Sequence, residues 1–70
     1  MRRRRVAIKR GYSLMVRAGM YTEAKLLLMM LRQGRLLLGT DEVSMNVAIY
    51  LEDSGCTVMC NRNGSMVASM

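Results

Sequence analysis

A chain of 70 residues with 51% hydrophobic side chains, a net charge of +6, nine methionines, two cysteines and neither histidine nor proline has room for one core. A core of this size supplies only ~3–5 kcal/mol, so small domains add disulfides, a metal or a partner subunit. Cys56 and Cys60 stand about 13 Å apart on extended chain, too far to bridge, and two thiolates make half a zinc site, with a four-thiolate site shared across a dimer as the alternative.

The N-terminal stretch Arg2, Arg3, Arg4 and Arg5 opens the chain as a basic arm (1–5) of a single domain (1–70). Over 3–18 a helical wheel gathers Ile8, Gly11, Tyr12, Met15 and Ala18 on one arc. Arg3, Arg10 and Arg17 are spaced by seven and drift only ~20° per heptad, so they form a basic stripe on the other side, widened by Lys9, Arg5 and Arg2. Gly11 inside this helix costs about 1 kcal/mol.

A second helix follows, with Thr22 as its N-cap, Glu23 in its first turn, Arg32 in its last and Gly34 as a left-handed terminator. Its apolar arc, through Ala24, Leu26, Leu27, Leu28, Met30 and Leu31, is about twice the ~100° stripe one packing surface needs, so it is predicted to be covered on two sides. Leu27, Leu28 and Leu31 are the candidate oligomer or partner interface, and a homodimer is expected. The connection Ala18-Gly19-Met20-Tyr21-Thr22-Glu23-Ala24 resembles the Gly-x-x-x-Glu-Ala turn of tetratricopeptide and pentatricopeptide hairpins. The chain holds one copy of it, so the resemblance implies an antiparallel helical hairpin and not an array.

After Thr40 the period changes. Val43, Met45, Val47, Ile49 and Leu51 alternate with polar or small residues, which predicts a half-buried strand. Glu52-Asp53-Ser54-Gly55 then reads as a hairpin loop before a strand from Cys56 to Asn61. Asn63-Gly64 reads as a type I′ turn before a last strand over Ser65–Ser69. Cys56 and Cys60 fall on one face with Val58, as small core residues. The predicted fold is α+β, an N-terminal αα-hairpin followed by a three-stranded antiparallel β-meander. In the alternative, Asp41–Asp53 is a helix capped by Thr40 and ended by Gly55. That pattern resembles the recognition helix and wing of winged helix-turn-helix proteins, and the resemblance implies DNA reading in the major groove.

The charge is divided along the chain. Residues 1–35 carry ten of the eleven basic side chains against Glu23 alone, a balance of +9, while residues 36–70 carry Arg62 against Asp41, Glu42, Glu52 and Asp53, a balance of −3. Nine of the basic residues are arginine, whose planar fork grips phosphate or carboxylate with two bonds. Catalysis lacks its parts: there is no histidine, glycine-rich phosphate loop, Gly-x-Ser-x-Gly elbow or metal-ligand cluster, and neither a cofactor nor a metal is expected. The longest apolar run, Leu26 to Leu31, is too short for a signal or a membrane span, which predicts a cytoplasmic protein without membrane contact. Residues 1–22, Arg-rich and acid-free, also read as a mitochondrial presequence does.

Two functions fit. In the first the chain is a non-catalytic nucleic-acid-binding regulator that contacts phosphate backbone through Arg2, Arg3, Arg4, Arg5, Lys9, Arg10 and Arg17. In the second it is a protein-interaction module or inhibitor, of the kind phages and mobile elements carry, whose arginines meet an acidic surface on a larger host protein.

Overall fold

The structure, a computed structural model, describes residues 2–70, with Arg2 described by its backbone alone. Helix α1 spans Arg2–Arg17 and α2 spans Tyr21–Gln33. The expected arm is therefore the first turn of α1, since arginine is a good helix former and nothing in the stretch breaks a helix. α1 closes in a Schellman motif: Gly19 N–H donates to Val16 O (3.1 Å) and Met20 N–H to Met15 O (2.8 Å). α2 starts at Tyr21 after Met20, whose side chain makes no capping bond. Thr22 thus lies inside the first turn and is not the cap predicted for it. The other end is as expected, with Gly34 left-handed (φ 71°) and its N–H on Met30 O at 2.8 Å. Arg5 Nη2 donates to Leu31 O across the hairpin at 3.1 Å, so the start of α1 lies against the end of α2 and the helices run antiparallel.

Strand β1, Arg35–Leu38, follows directly, and then α3 over Glu42–Asp53. The strand predicted for 43–51 is thus a helix, as in the alternative reading, and two end signals explain why. Asp41, rather than Thr40, is the N-cap: its carboxylate accepts from Ser44 N (3.1 Å) and from Ser44 Oγ (2.9 Å). At the other end Gly55 N–H reaches Glu52 O and Cys56 N–H reaches Leu51 O, both at 3.0 Å, a second Schellman closure. It needs a left-handed residue, and Gly55 has φ 96°. Residues 52–55 are therefore a helix terminus, not a hairpin loop. Ser44, Val47, Ala48 and Leu51 face the core, whereas Met45 and Ile49, which completed the alternating pattern, are 45% and 57% exposed.

Strands β2, Thr57–Cys60, and β3, Met66–Ser69, form a hairpin, and β1 pairs antiparallel with β3 on its other side, giving the order β1-β3-β2. The described residues thus form an α+β fold of a helical hairpin and a three-stranded antiparallel sheet. The sheet is not a meander in chain order, because β1 takes the third place and leaves β3 central. Its connecting loop is closed by Gly64 N–H on Asn61 O (3.1 Å) and Asn61 N–H on Ser65 O (2.7 Å). Gly64 has φ 88° while no described non-glycine residue has positive φ, so the turn is a three-residue loop ending on a left-handed glycine and not type I′. The two-residue connection would need Asn63 left-handed as well. Asn63 instead holds Ser65 through its Oδ1.

α2 is covered on two sides as its arc predicts, by α1 on one and by α3 and β1 on the other. Ile8, Leu27, Met30, Val47 and Leu51 are the largest fully buried side chains, and Leu36, Leu38, Met66 and Ala68 complete the core from the sheet's inner face. Register places Leu37, Val67 and Met59 in one row across the outer face. Leu27 and Leu31, taken as a partner interface, are inside this core; Leu28 alone of the three is partly exposed. The helix is wide in its apolar arc because its own chain surrounds it.

Candidate nucleic-acid interface

α1 positions the basic residues, and its inner face determines which way each points. Ile8 is fully buried, Gly11 is buried, and Tyr12 and Met15 pack against the core. α3 fixes the rotation of α1 through Tyr50. Its ring lies where a side chain at residue 11 would be, and its hydroxyl donates to Ala7 O at 2.8 Å. Gly11 is therefore the seat of Tyr50. With that face held down, Arg3, Lys9, Arg10 and Arg17 are all exposed on the other. Arg3, Arg10 and Arg17 follow one another at ~10.5 Å along the axis, from a rise of 1.5 Å per residue.

Two other arginines of the first turn, Arg4 and Arg5, are engaged within the molecule. Arg4 lies over the end of α3, where a Cβ on Gly55 would meet its Cγ and Nε at 3.5 and 3.6 Å. Arg5 bonds the Leu31 carbonyl, where a cation is favoured by the negative end of the α2 dipole. The side chain of Arg2 lies outside the described residues. The stripe is therefore Arg3, Lys9, Arg10 and Arg17, with Val6 and Leu14 between them at 46% and 60% exposure. Val6, Lys9, Arg10, Ser13, Leu14 and Arg17 line an open depression along it.

Electrostatics favour an anion here. The first turn of α1 contains Arg2 to Arg5 and no acidic residue, so it places like charges together at the positive end of a helix dipole. Each such charge is disfavoured there by ~0.3–1 kcal/mol, which a bound polyanion would reverse.

The element in the place of a recognition helix is unlike one that enters a DNA groove. α3 is followed by the β2–β3 hairpin as in a winged protein, but β1 separates it from α2, where a helix-turn-helix has a turn of 3–4 residues. Its outward residues are Glu42, Met45, Asn46, Ile49, Glu52 and Asp53, with no cation among them. Aromatic platforms for single strands are few: Tyr50 is engaged with α1, Tyr12 packs against the core, and Tyr21 alone is exposed, at 68%.

Burial raises the Cys56 thiol pKa against the opposing pull of Arg4, which suits the small core residue expected there. Cys60 is exposed at the end of β2, not beside it. Hydrogen bonds from Ser44 hold the Asp41 carboxyl below the usual aspartate value. Among the described residues no group of three or more His, Cys, Asp or Glu side chains is placed to hold a metal ion, and no helix is long and apolar enough to cross a membrane. No protein-family model, curated protein or solved structure matches the chain.

Proposed function

We propose that the protein is a small non-catalytic regulator that binds nucleic acid through its phosphate backbone, using the outer face of α1. One observation carries the reading: Arg3, Arg10 and Arg17, with Lys9, project from one face of a helix whose rotation is fixed by Tyr50 and which has no carboxylate of its own. Such a stripe meets phosphates and positions the protein without reading bases, so sequence preference is modest. Duplex is favoured over single strand, because stacking platforms are scarce. The acidic outer face of α3 turns the recognition-helix mode aside.

Fluorescence anisotropy with labelled duplex at increasing salt tests it. Log affinity should fall linearly with log salt, and the combined Arg3→Ala, Arg10→Ala, Arg17→Ala variant should lose about 2.7 units of that slope, at ~0.9 per phosphate contact, for every sequence alike. Absence of binding by the wild-type protein at about 0.05 M salt, where backbone contacts are strong, would refute the proposal.

A further inference from the structure

The molecule exposes two helical faces on which apolar and charged side chains stand together, and the charges have opposite sign. On α1, Val6 and Leu14 flank the stripe of Arg3, Arg10 and Arg17, one on each side. On α3, Met45 and Ile49 are bracketed by Glu42 three residues before and Glu52 three residues after. The apolar centre and charged rim of the α3 face are the anatomy of a protein contact rather than of a solvated face, and the α1 face offers the complement, a charged centre with apolar edges. Core packing does not require Met45 and Ile49, since Val47, Ala48 and Leu51 already supply the inner face of α3. Glu42 and Glu52 lie ~15 Å apart along the axis, between the ~10.5 and ~21 Å separations of the arginines, a difference that long side chains span.

We propose that the α3 face of one copy docks on the α1 face of a second copy, Met45 and Ile49 against Val6 and Leu14, with Glu42 and Glu52 paired to the arginine stripe. The contact is between unlike faces, so each subunit offers one of each kind and assembly closes as a ring or a reciprocal pair, or propagates. It replaces the α2 surface as the route to an oligomer, and it stands independently of whether nucleic acid binds.

Sedimentation velocity on nuclease-treated protein, at about 0.05 and about 0.5 M salt, provides the test, because charge-rimmed contacts weaken as the Debye length shortens. Wild-type protein should associate with rising concentration and do so less at the higher salt. Glu42→Lys with Glu52→Lys makes both faces basic, and Arg10→Glu with Arg17→Glu leaves the α1 face with Arg3 and Lys9 against two carboxylates, neutral towards an α3 face that is still acidic, so each variant alone should associate at least about tenfold more weakly. Mixed together they should associate again, since the acidic α3 face kept by the second meets the basic α1 face kept by the first, and that recovery also shows that both variants are folded. A wild-type protein that remains monomeric, variants that associate as the wild type does, or a mixture that stays apart would overturn the proposal. So would an association abolished instead by Leu37→Ser or Met59→Ser on the outer face of the sheet.

Discussion

Gly11 has a cost in isolation and a purpose in context. Alanine there gains about 1 kcal/mol of helix propensity, but its methyl would run into the Tyr50 ring, whose hydroxyl bonds Ala7 O. Overpacking of this kind costs ~1–3 kcal/mol, and losing the hydrogen bond adds about 1. Gly11→Ala should therefore destabilise by about 1–3 kcal/mol in urea melts, and the sign should reverse in a Tyr50→Ala background, where the ring is gone. The wheel recognises Gly11 as part of the inner face of α1, but the partner that requires a glycine there is 39 positions away on a helix that the alternation concealed. Asp41 permits a sharper test. Its folded pKa lies below the unfolded value, 3.8, chiefly through the Ser44 backbone N–H, so its contribution is complete above that value and is lost as pH falls through the lower folded one. Asn caps about as well. Asp41→Asn should keep α3 at neutral pH and remove this part of the acid limb of stability, seen by comparing urea midpoints of the two proteins from pH 6 downward.

At the scale of elements, α1 and α2 were legible because capping glycines and a 3.6-residue period agree there. α3 was misread because they disagree: five alternating apolar positions spell a strand, while Asp41 and Gly55 close the two ends of a helix. End chemistry prevails since Met45 and Ile49 are not core residues, and without them the remaining apolar positions fit a helix. β1 was missed because Leu36, Leu37 and Leu38 show no alternation, although Leu36 and Leu38 are buried and Leu37 is 72% exposed. The four leading arginines looked alike in sequence, and only the fold separates Arg5, on the α2 carboxyl end, from Arg3 on the open face. The two should part experimentally. Arg5→Ala should lower stability by about 1 kcal/mol, the worth of one charge-assisted terminal bond, and leave the salt slope of binding nearly unchanged. Arg3→Ala should leave the thermal midpoint where it is and reduce the slope by about 0.9.

At the scale of the whole molecule, the charge division seen along the sequence becomes a division between faces, with α1 basic and α3 acidic. If the stripe binds both phosphate and the α3 face of a second copy, the two ligands compete for the same arginines, and self-association limits nucleic-acid binding as protein concentration rises. The variant that isolates this effect removes the apolar centre of the α3 face and leaves every charge in place. Met45→Ser with Ile49→Ser should weaken self-association, yet bind duplex as tightly as the wild type in dilute solution. At concentrations where the wild-type protein associates, it should bind more tightly, because its stripe stays open. Titrating unlabelled duplex into associated wild-type protein should likewise release smaller complexes in the sedimentation profile. Larger particles on adding duplex, or a serine variant that binds less well at every concentration, would mean that the α3 face assists the nucleic-acid contact and does not compete with it. The decision between these is physical: an acidic face cannot lie against phosphate without cations between, so competition is the outcome that the signs of the charges require.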